Sequence, residues 1–139
     1  MALDRGDPAN PDLIDAFERH DIHPALAKCS ALRPPVVLAH IVGTLDRAAE
    51  GRVILGVGIA TDAPPIRKEF ASVGVPFERR VGRFLETLDI CRALWSRDNV
   101  SFSGKHFTVD GITVEPKPHR PGGPPIWIGG SGPTALREA

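Results

Sequence analysis

The run Arg52-Val53-Ile54-Leu55-Gly56-Val57-Gly58 constrains this chain more than any other stretch. Four branched aliphatic residues and two glycines are too few for a helix, and they do not alternate with polar residues, so the run reads as a strand buried on both faces. Pro125-Ile126-Trp127-Ile128-Gly129-Gly130 repeats the design about 70 residues later. Segments of helical period come before and after the first run. Helices alternating with strands of this kind imply an α/β fold on a parallel sheet, because only crossover helices cover both faces of one. In such sheets ligands sit at the carboxyl ends of the strands, and there both runs carry glycine.

Charge excludes some partners. The 139 residues hold 17 acidic and 17 basic side chains, so nothing in the bulk charge favours nucleic acid or an acidic partner. Cys29 and Cys91 lie far apart without metal-ligand spacing, and Met-Ala-Leu-Asp-Arg lacks the pattern of a secretory signal, which makes a reduced cytoplasm the expected setting. No apolar run reaches the ~20 residues needed to span a bilayer, so no membrane association is expected. Fourteen prolines and fourteen glycines punctuate the periodic segments and mark many tight connections.

Residues 1–12, with Gly6, Pro8, Asn10 and Pro11 among three aspartates, have the composition of a solvated tail. Leu13, Ile14 and Phe17, then Ile22, Leu26 and Cys29, fall on the faces of two short amphipathic helices, so Ala25 to Ala31 reads as helix. Leu38, Ile41, Val42, Leu45 and Ala49 form one stripe of a helix that Gly51 caps. After Gly58 the loop 59–65, of the kind that carries function, leads to a short helical piece ending at Phe70 and a Gly74-Val75-Pro76 corner. In the longest helix Phe77, Val81, Phe84, Leu88, Cys91 and Trp95 hold the apolar stripe, while Glu78, Arg79, Arg80, Arg83, Glu86 and Arg92 form a charged, solvated face. From Asn99 to Glu115 the period becomes two, which reads as a β-hairpin or meander covering an end of the sheet. Prolines then deliver the chain into Ile126-Trp127-Ile128, and Pro133 opens a last helix. Two parallel strands with unfinished helical faces do not close a core, so the chain reads as part of something larger.

Seven pieces in this order carry a family likeness: Thr44-Leu45-Asp46-Arg47, Gly51 to Gly58, Gly74-Val75-Pro76-Phe77-Glu78-Arg79-Arg80, Leu94-Trp95, Val100 to Lys105, Glu115-Pro116-Lys117-Pro118 and Pro124 to Gly130. Together they resemble the bacterial-luciferase-like family of flavin-dependent oxidoreductases and monooxygenases. The likeness covers residues 32–139, and it leaves residues 1–31 as an unassigned tail with short helices. It implies a fragment of a (β/α)8 TIM barrel, with Val53–Val57 as the fourth strand, Ile126–Ile128 as the fifth and the hairpin as an insertion between them. A complete barrel runs to ~250 residues. The third strand that the family would place before Leu32 is missing from this reading.

The resemblance also implies reduced FMN or a deazaflavin as cofactor, a small organic substrate and, in many members, molecular oxygen. Gly58, Gly130, Ser131 and Gly132 are the cofactor-binding candidates. Free N–H groups at a helix start point at an anion, glycine lets the backbone approach, and the Ser131 hydroxyl adds a donor for the flavin phosphate. Ser131 is equally suited to capping the helix. Gly56 and Gly58 either admit a ring against the backbone or serve strand-to-loop geometry. Thr61 and Asp62 stand on the rim, where Asp62 suits a turn before Pro64-Pro65. Family members often carry an aromatic, polar or arginine residue where this chain has Ile59-Ala60.

His40, His106 and His119 lack partners at ligand spacing, so no metal is expected, and Cys91 on the apolar stripe acts as a small hydrophobe. No catalytic residue is assigned. Three readings result. The first is a luciferase-like oxidoreductase, incomplete as this chain. The second is a non-catalytic remnant or partner-dependent scaffold that pairs its open strand edges with another chain, a second copy included. A third is a small nicotinamide-binding domain, but Thr61 stands where the third glycine of a dinucleotide fingerprint belongs.

Overall fold

In a computed structural model, residues 24–27 and 30–129 are described. Along the chain run β1 (Pro24–Ala27), a 3-10 turn at Ser30–Leu32, α1 (Pro35–Ala48), β2 (Ile54–Gly58) and α2 (Pro64–Ser72). A second 3-10 turn at Phe77–Arg79 leads into α3 (Arg80–Ser96), followed by β3 (Val100–Ser103), β4 (Thr108–Ile112) and β5 (Ile126–Gly129). The expected helices around Leu13, Ile14, Phe17 and Ile22, the tail, Cys29 and the helix after Gly129 lie outside the described residues.

β1, β2 and β5 form one sheet in the order β1-β2-β5. β2 is central and parallel to both neighbours, with Ile54 opposite Pro24 and Leu55 opposite Ile126. The two glycine-tipped runs are therefore side by side and parallel, as their composition predicts. Residues 24–27 correct the helical reading of Ala25 to Ala31, and with it the two-stranded sheet. A segment as short as the four residues Pro24–Ala27 is too small to nucleate a helix, and the edge of β2 offers a ladder that outweighs helix propensity. Pro24 opens the strand, where a missing N–H costs least.

α3 lies at the centre of the core. Phe84, Thr87, Leu88, Ile90, Cys91, Leu94 and Trp95 are buried along it. Of the predicted stripe this face holds Phe84, Leu88, Cys91 and Trp95, while Val81 is half-buried and Phe77 is buried in the 3-10 turn before the helix. Phe84, Leu38, Leu55 and Leu94 are sealed from solvent, and each buried side chain of this size contributes roughly 1.5–3 kcal/mol. α1 packs on α3 with the Trp95 Nε1–H donating to the Ala39 carbonyl at 3.0 Å.

The buried face of α1 is rotated from the expected stripe. Leu38, Ala39, Val42, Gly43 and Asp46 point inward, while Val37, Ile41 and Leu45 are 49%, 38% and 43% exposed. Close approach, not side-chain apolarity, selects the inner face: a Cβ at Gly43 would stand 2.9 Å from the Pro116 carbonyl oxygen. Gly51 ends the helix as predicted, at φ +77° with its N–H on the Asp46 carbonyl at 2.8 Å.

β3 and β4 make the predicted hairpin as a separate antiparallel pair. Asp110-Gly111 lies inside β4 as an irregularity, with Gly111 at φ +61°, and starts no further strand. The hairpin is fastened to α3 by Glu86, whose carboxylate accepts the N–H groups of Lys105, His106 and Phe107 at 2.7, 2.9 and 3.0 Å. Glu86 is thus half-buried and bonded, in contrast to the solvated role its position on the charged face suggests.

Candidate functional site

The two faces of the sheet carry different residues. Side chains alternate along a strand, so Leu55 and Val57 share one face with Ile126 and Ile128, and all four join the helix-side core. Ile54, Gly56 and Gly58 face the other way, beside Trp127 and Gly129. Gly56 is in register with Trp127 and Gly58 with Gly129. A Cβ at Gly56 would meet nothing within 4 Å, whereas one at Gly58 would stand 3.3 Å from the Gly129 carbonyl oxygen. The main chain of β2 is therefore bare at Gly56 on this face, with the half-buried Trp127 in register beside it.

Two loops rise from the carboxyl ends of β1 and β2, and arginines hold both. In the loop after β2, the Ala60 carbonyl accepts from Arg80 Nε at 3.0 Å, and Arg80 Nη1 also donates to the Phe77 carbonyl at 3.3 Å. Asp62 receives a bidentate bond from Arg67, with Nε at 2.6 Å and Nη2 at 2.8 Å, and Arg67 reaches Glu78 at 3.1 Å. Both guanidinium groups lie over the Phe77 ring, Arg67 at 4.4 Å and Arg80 at 4.0 Å. After β1, the Ala31 carbonyl accepts from Arg83 Nε at 2.9 Å, and that guanidinium lies 4.5 Å over the Phe107 ring.

Electrostatics follow these contacts. The hydrogen bond from Arg67 holds Asp62 below the usual carboxylate range and raises Arg67 itself. Glu78 is lowered by its own backbone N–H and then by Arg67. Burial pulls the Arg83 pKa down and the neighbouring Arg79 charge adds to that, while Glu86 opposes both. On Glu86 burial acts upward, but the three backbone donors outweigh it and hold the carboxyl low. Burial pushes the Cys91 thiol up to about 12, as befits the small hydrophobe predicted there, and its Sγ lies 3.5 Å from the Pro35 carbonyl.

Of the predicted site residues, Gly58 lies at the carboxyl end of β2 beside Gly129. Gly130, Ser131 and Gly132 lie outside the described residues; Gly129 brings the chain to them from the same end of the sheet. Thr61 is exposed, and Asp62 is committed to Arg67 as well as preceding the helix-opening prolines. His40 and His119 are exposed, and the His106 ring packs against Gly82. Among the described residues no three His, Cys, Asp or Glu side chains gather to hold a metal ion, and no helix is long and apolar enough to cross a membrane.

Sequence reasoning passes over Trp127 as a site residue and over the roles of Arg67, Arg80 and Arg83. The signal for the last two was their spacing: Arg80, Arg83 and Glu86 recur every three residues along one ridge of α3, next to the buried stripe rather than opposite it.

Residues 26–139 match the model of the luciferase-like monooxygenase family. The F420-dependent glucose-6-phosphate dehydrogenase of Nocardia farcinica (strain IFM 10152) is 33% identical over 105 residues, covering 76% of this chain and 31% of that protein. The monooxygenase RslO1 from Streptomyces bottropensis superposes with a TM-score of 0.66 at 24% identity, over 75% of this chain and 30% of its own. The FMN complex of the oxygenating constituent of 3,6-diketocamphane monooxygenase from Pseudomonas putida, a type II Baeyer-Villiger enzyme, gives 0.59 at 22% identity, over 86% and 36%. At these identities the structures speak for the fold, and the chain spans about a third of the length of the dehydrogenase it matches. With a match that takes in most of its residues, the chain belongs to the luciferase-like monooxygenase family.

Proposed function

We propose that this chain is the cofactor-holding portion of a flavin- or deazaflavin-dependent oxidoreductase, a fragment of a (β/α)8 barrel acting on a small organic substrate in the cytoplasm. In this reading β2 and β5 are the fourth and fifth barrel strands, β3–β4 is the insertion between them, and the barrel portion takes in β1 together with residues 32–139. The observation that carries it is the open space at Gly56 in the middle of β2, beside Trp127 of β5; relatives named for F420 and a neighbouring structure that holds FMN support the choice of cofactor. When bound, the flavin supplies the redox chemistry, with molecular oxygen as the second substrate in the monooxygenase variant.

The protein's own contributions are binding and orientation. Gly56 and Gly58 let a flat ring lie against β2, Trp127 walls it on the β5 side, and Gly130, Ser131 and Gly132 supply donors for the phosphate. Arg67 and Arg80 keep the loop 59–63 at the edge of that seat. Titration of the purified chain with FMN and with F420, followed by flavin fluorescence, tests the reading. Saturable binding of either, lost in Ser131→Asp and in Gly58→Val, supports it; no binding of either overturns it for this chain alone.

A second reading is favoured by one observation, the third-length coverage of the relatives. It makes the chain a partner-dependent scaffold that completes its sheet with another polypeptide or a second copy. Flavin binding that arises only in an oligomer, resolved by sedimentation, would mark this case.

A further inference from the structure

We propose that Arg80 and Arg83 are positioning residues: each sets one strand-end loop by gripping a main-chain carbonyl, so that a single ridge of α3 fixes the rim around the open face of the sheet. Where it concerns the cofactor, this rests on the flavin reading above.

The pattern begins with what α3 does not need. Its first turn contains no acidic residue, and Arg79, Arg80 and Arg83 crowd an end where the helix dipole disfavours positive charge. Helix stability therefore does not account for them. Their contacts do. Arg80 Nε binds the Ala60 carbonyl, two residues beyond the glycine that ends β2, and Arg83 Nε binds the Ala31 carbonyl in the turn that follows β1. Each guanidinium is shelved on a phenylalanine, Arg80 on Phe77 and Arg83 on Phe107, which fixes the plane of the fork as well as its position. Three residues on, Glu86 binds the hairpin that carries Phe107. The chain thus ties the loop after β2, the loop after β1 and the hairpin to one rigid helix, whose next turns are buried from Phe84 to Trp95.

Neither arginine belongs to the apolar core, and both are only half-buried. Their loss should slacken one loop each and leave the sheet and helices standing. A lysine in either place keeps the charge but cannot lie flat on the ring while one fixed N–H serves the carbonyl.

Hydrogen exchange on the full chain, with and without FMN, tests this in wild type, Arg80→Ala, Arg80→Lys, Arg83→Ala and the exposed-site control Arg92→Ala. Arg80→Ala should speed exchange in peptides covering 59–67 by about tenfold, the scale of one lost hydrogen bond, with those covering 30–33 unchanged. The first set is reported by the Arg67 N–H, which donates to the Ala63 carbonyl, and the second by the Arg33 N–H on the Ser30 carbonyl. Arg83→Ala should do the reverse, Arg80→Lys should restore little, and Arg92→Ala should alter neither loop. Exchange that is unaltered in both loops, or that rises evenly through α1, α3 and the hairpin, overturns the proposal. Where wild type binds FMN, Arg80→Ala should also weaken it about tenfold, the affinity equivalent of that same bond. Loosened loops with full affinity would overturn the link to the cofactor. Where wild type binds no flavin, the functional reading fails and the loop exchange alone decides whether the arginines position the rim.

Discussion

Asp46, buried near the end of α1, accepts the main-chain N–H of Arg120 on Oδ2 at 3.0 Å, a bond that crosses 74 residues of sequence. It holds the proline-rich connection that delivers β5 to its place beside β2. Its other oxygen has no protein partner among the described residues. Asp46→Ala leaves the Arg120 N–H without its acceptor and removes a sealed carboxylate, so unfolding in urea should show a loss of about 1–3 kcal/mol. Asp46→Asn, which keeps the acceptor, should recover most of it.

Gly56 has room for a side chain, so filling it separates fold from function. Gly56→Ala should leave the melting temperature unchanged or raise it, since glycine inside a strand costs roughly 0.5–1 kcal/mol relative to alanine. Gly56→Leu should occupy the open space over β2 and abolish flavin binding. In wild type, bound flavin should quench the Trp127 emission, read against a Trp95→Phe background because Trp95 is buried elsewhere in the core.

Glu86 makes stability depend on pH with a definite sign. Its folded-state pKa lies below the ordinary value of 4.5, so the stabilisation is complete above that value and is lost as pH falls through the folded pKa. Wild type should therefore lose urea resistance between pH 6 and about pH 3, and Glu86→Gln, which does not titrate, should lose less over the same window. The hairpin amides of 105–107 should report the loss first by hydrogen exchange.

Cys91 should be inert in the native protein. Its thiol is buried and its pKa is pushed up to about 12, so almost no thiolate exists at pH 8. In a Cys29→Ser variant, reaction with a disulfide reagent should follow global unfolding and stay negligible until then.

Short apolar runs were easy to read. Ile54 to Gly58 and Ile126 to Gly129 announce parallel strands because they do not alternate with polar residues. The burial on both faces that this predicts is not reached: Gly56 and Gly58 are half-buried, Ile126, Trp127 and Ile128 likewise, and Gly129 is exposed. β1 was harder, since four residues that begin with a proline carry no period of their own and become a strand only because β2 supplies an edge. On α1 the periodicity pointed to Ile41 and Leu45, but packing chose Ala39 and Gly43, where the chain needs close approach more than apolar bulk. The seat for a ring was half legible: glycine at the strand tips stands out in the sequence, whereas the pairing of Gly56 with Trp127 depends on a register that no local pattern fixes. The arginines were misread as solvated because periodicity reports which face a residue lies on, not which distant carbonyl it reaches.

The central place of β2 also shapes how the chain must assemble. Pro24 and Ile126 lie on opposite sides of it in sequence, yet both ladders lean on the same five residues. α2, α3 and the hairpin can take shape from near neighbours, while the second ladder must wait until everything between Gly58 and Ile126 has doubled back. During synthesis one flank of β2 stays unzipped until Ile126 to Gly129 have left the ribosome, and that interval is when the nascent chain is most open to joining the wrong strand.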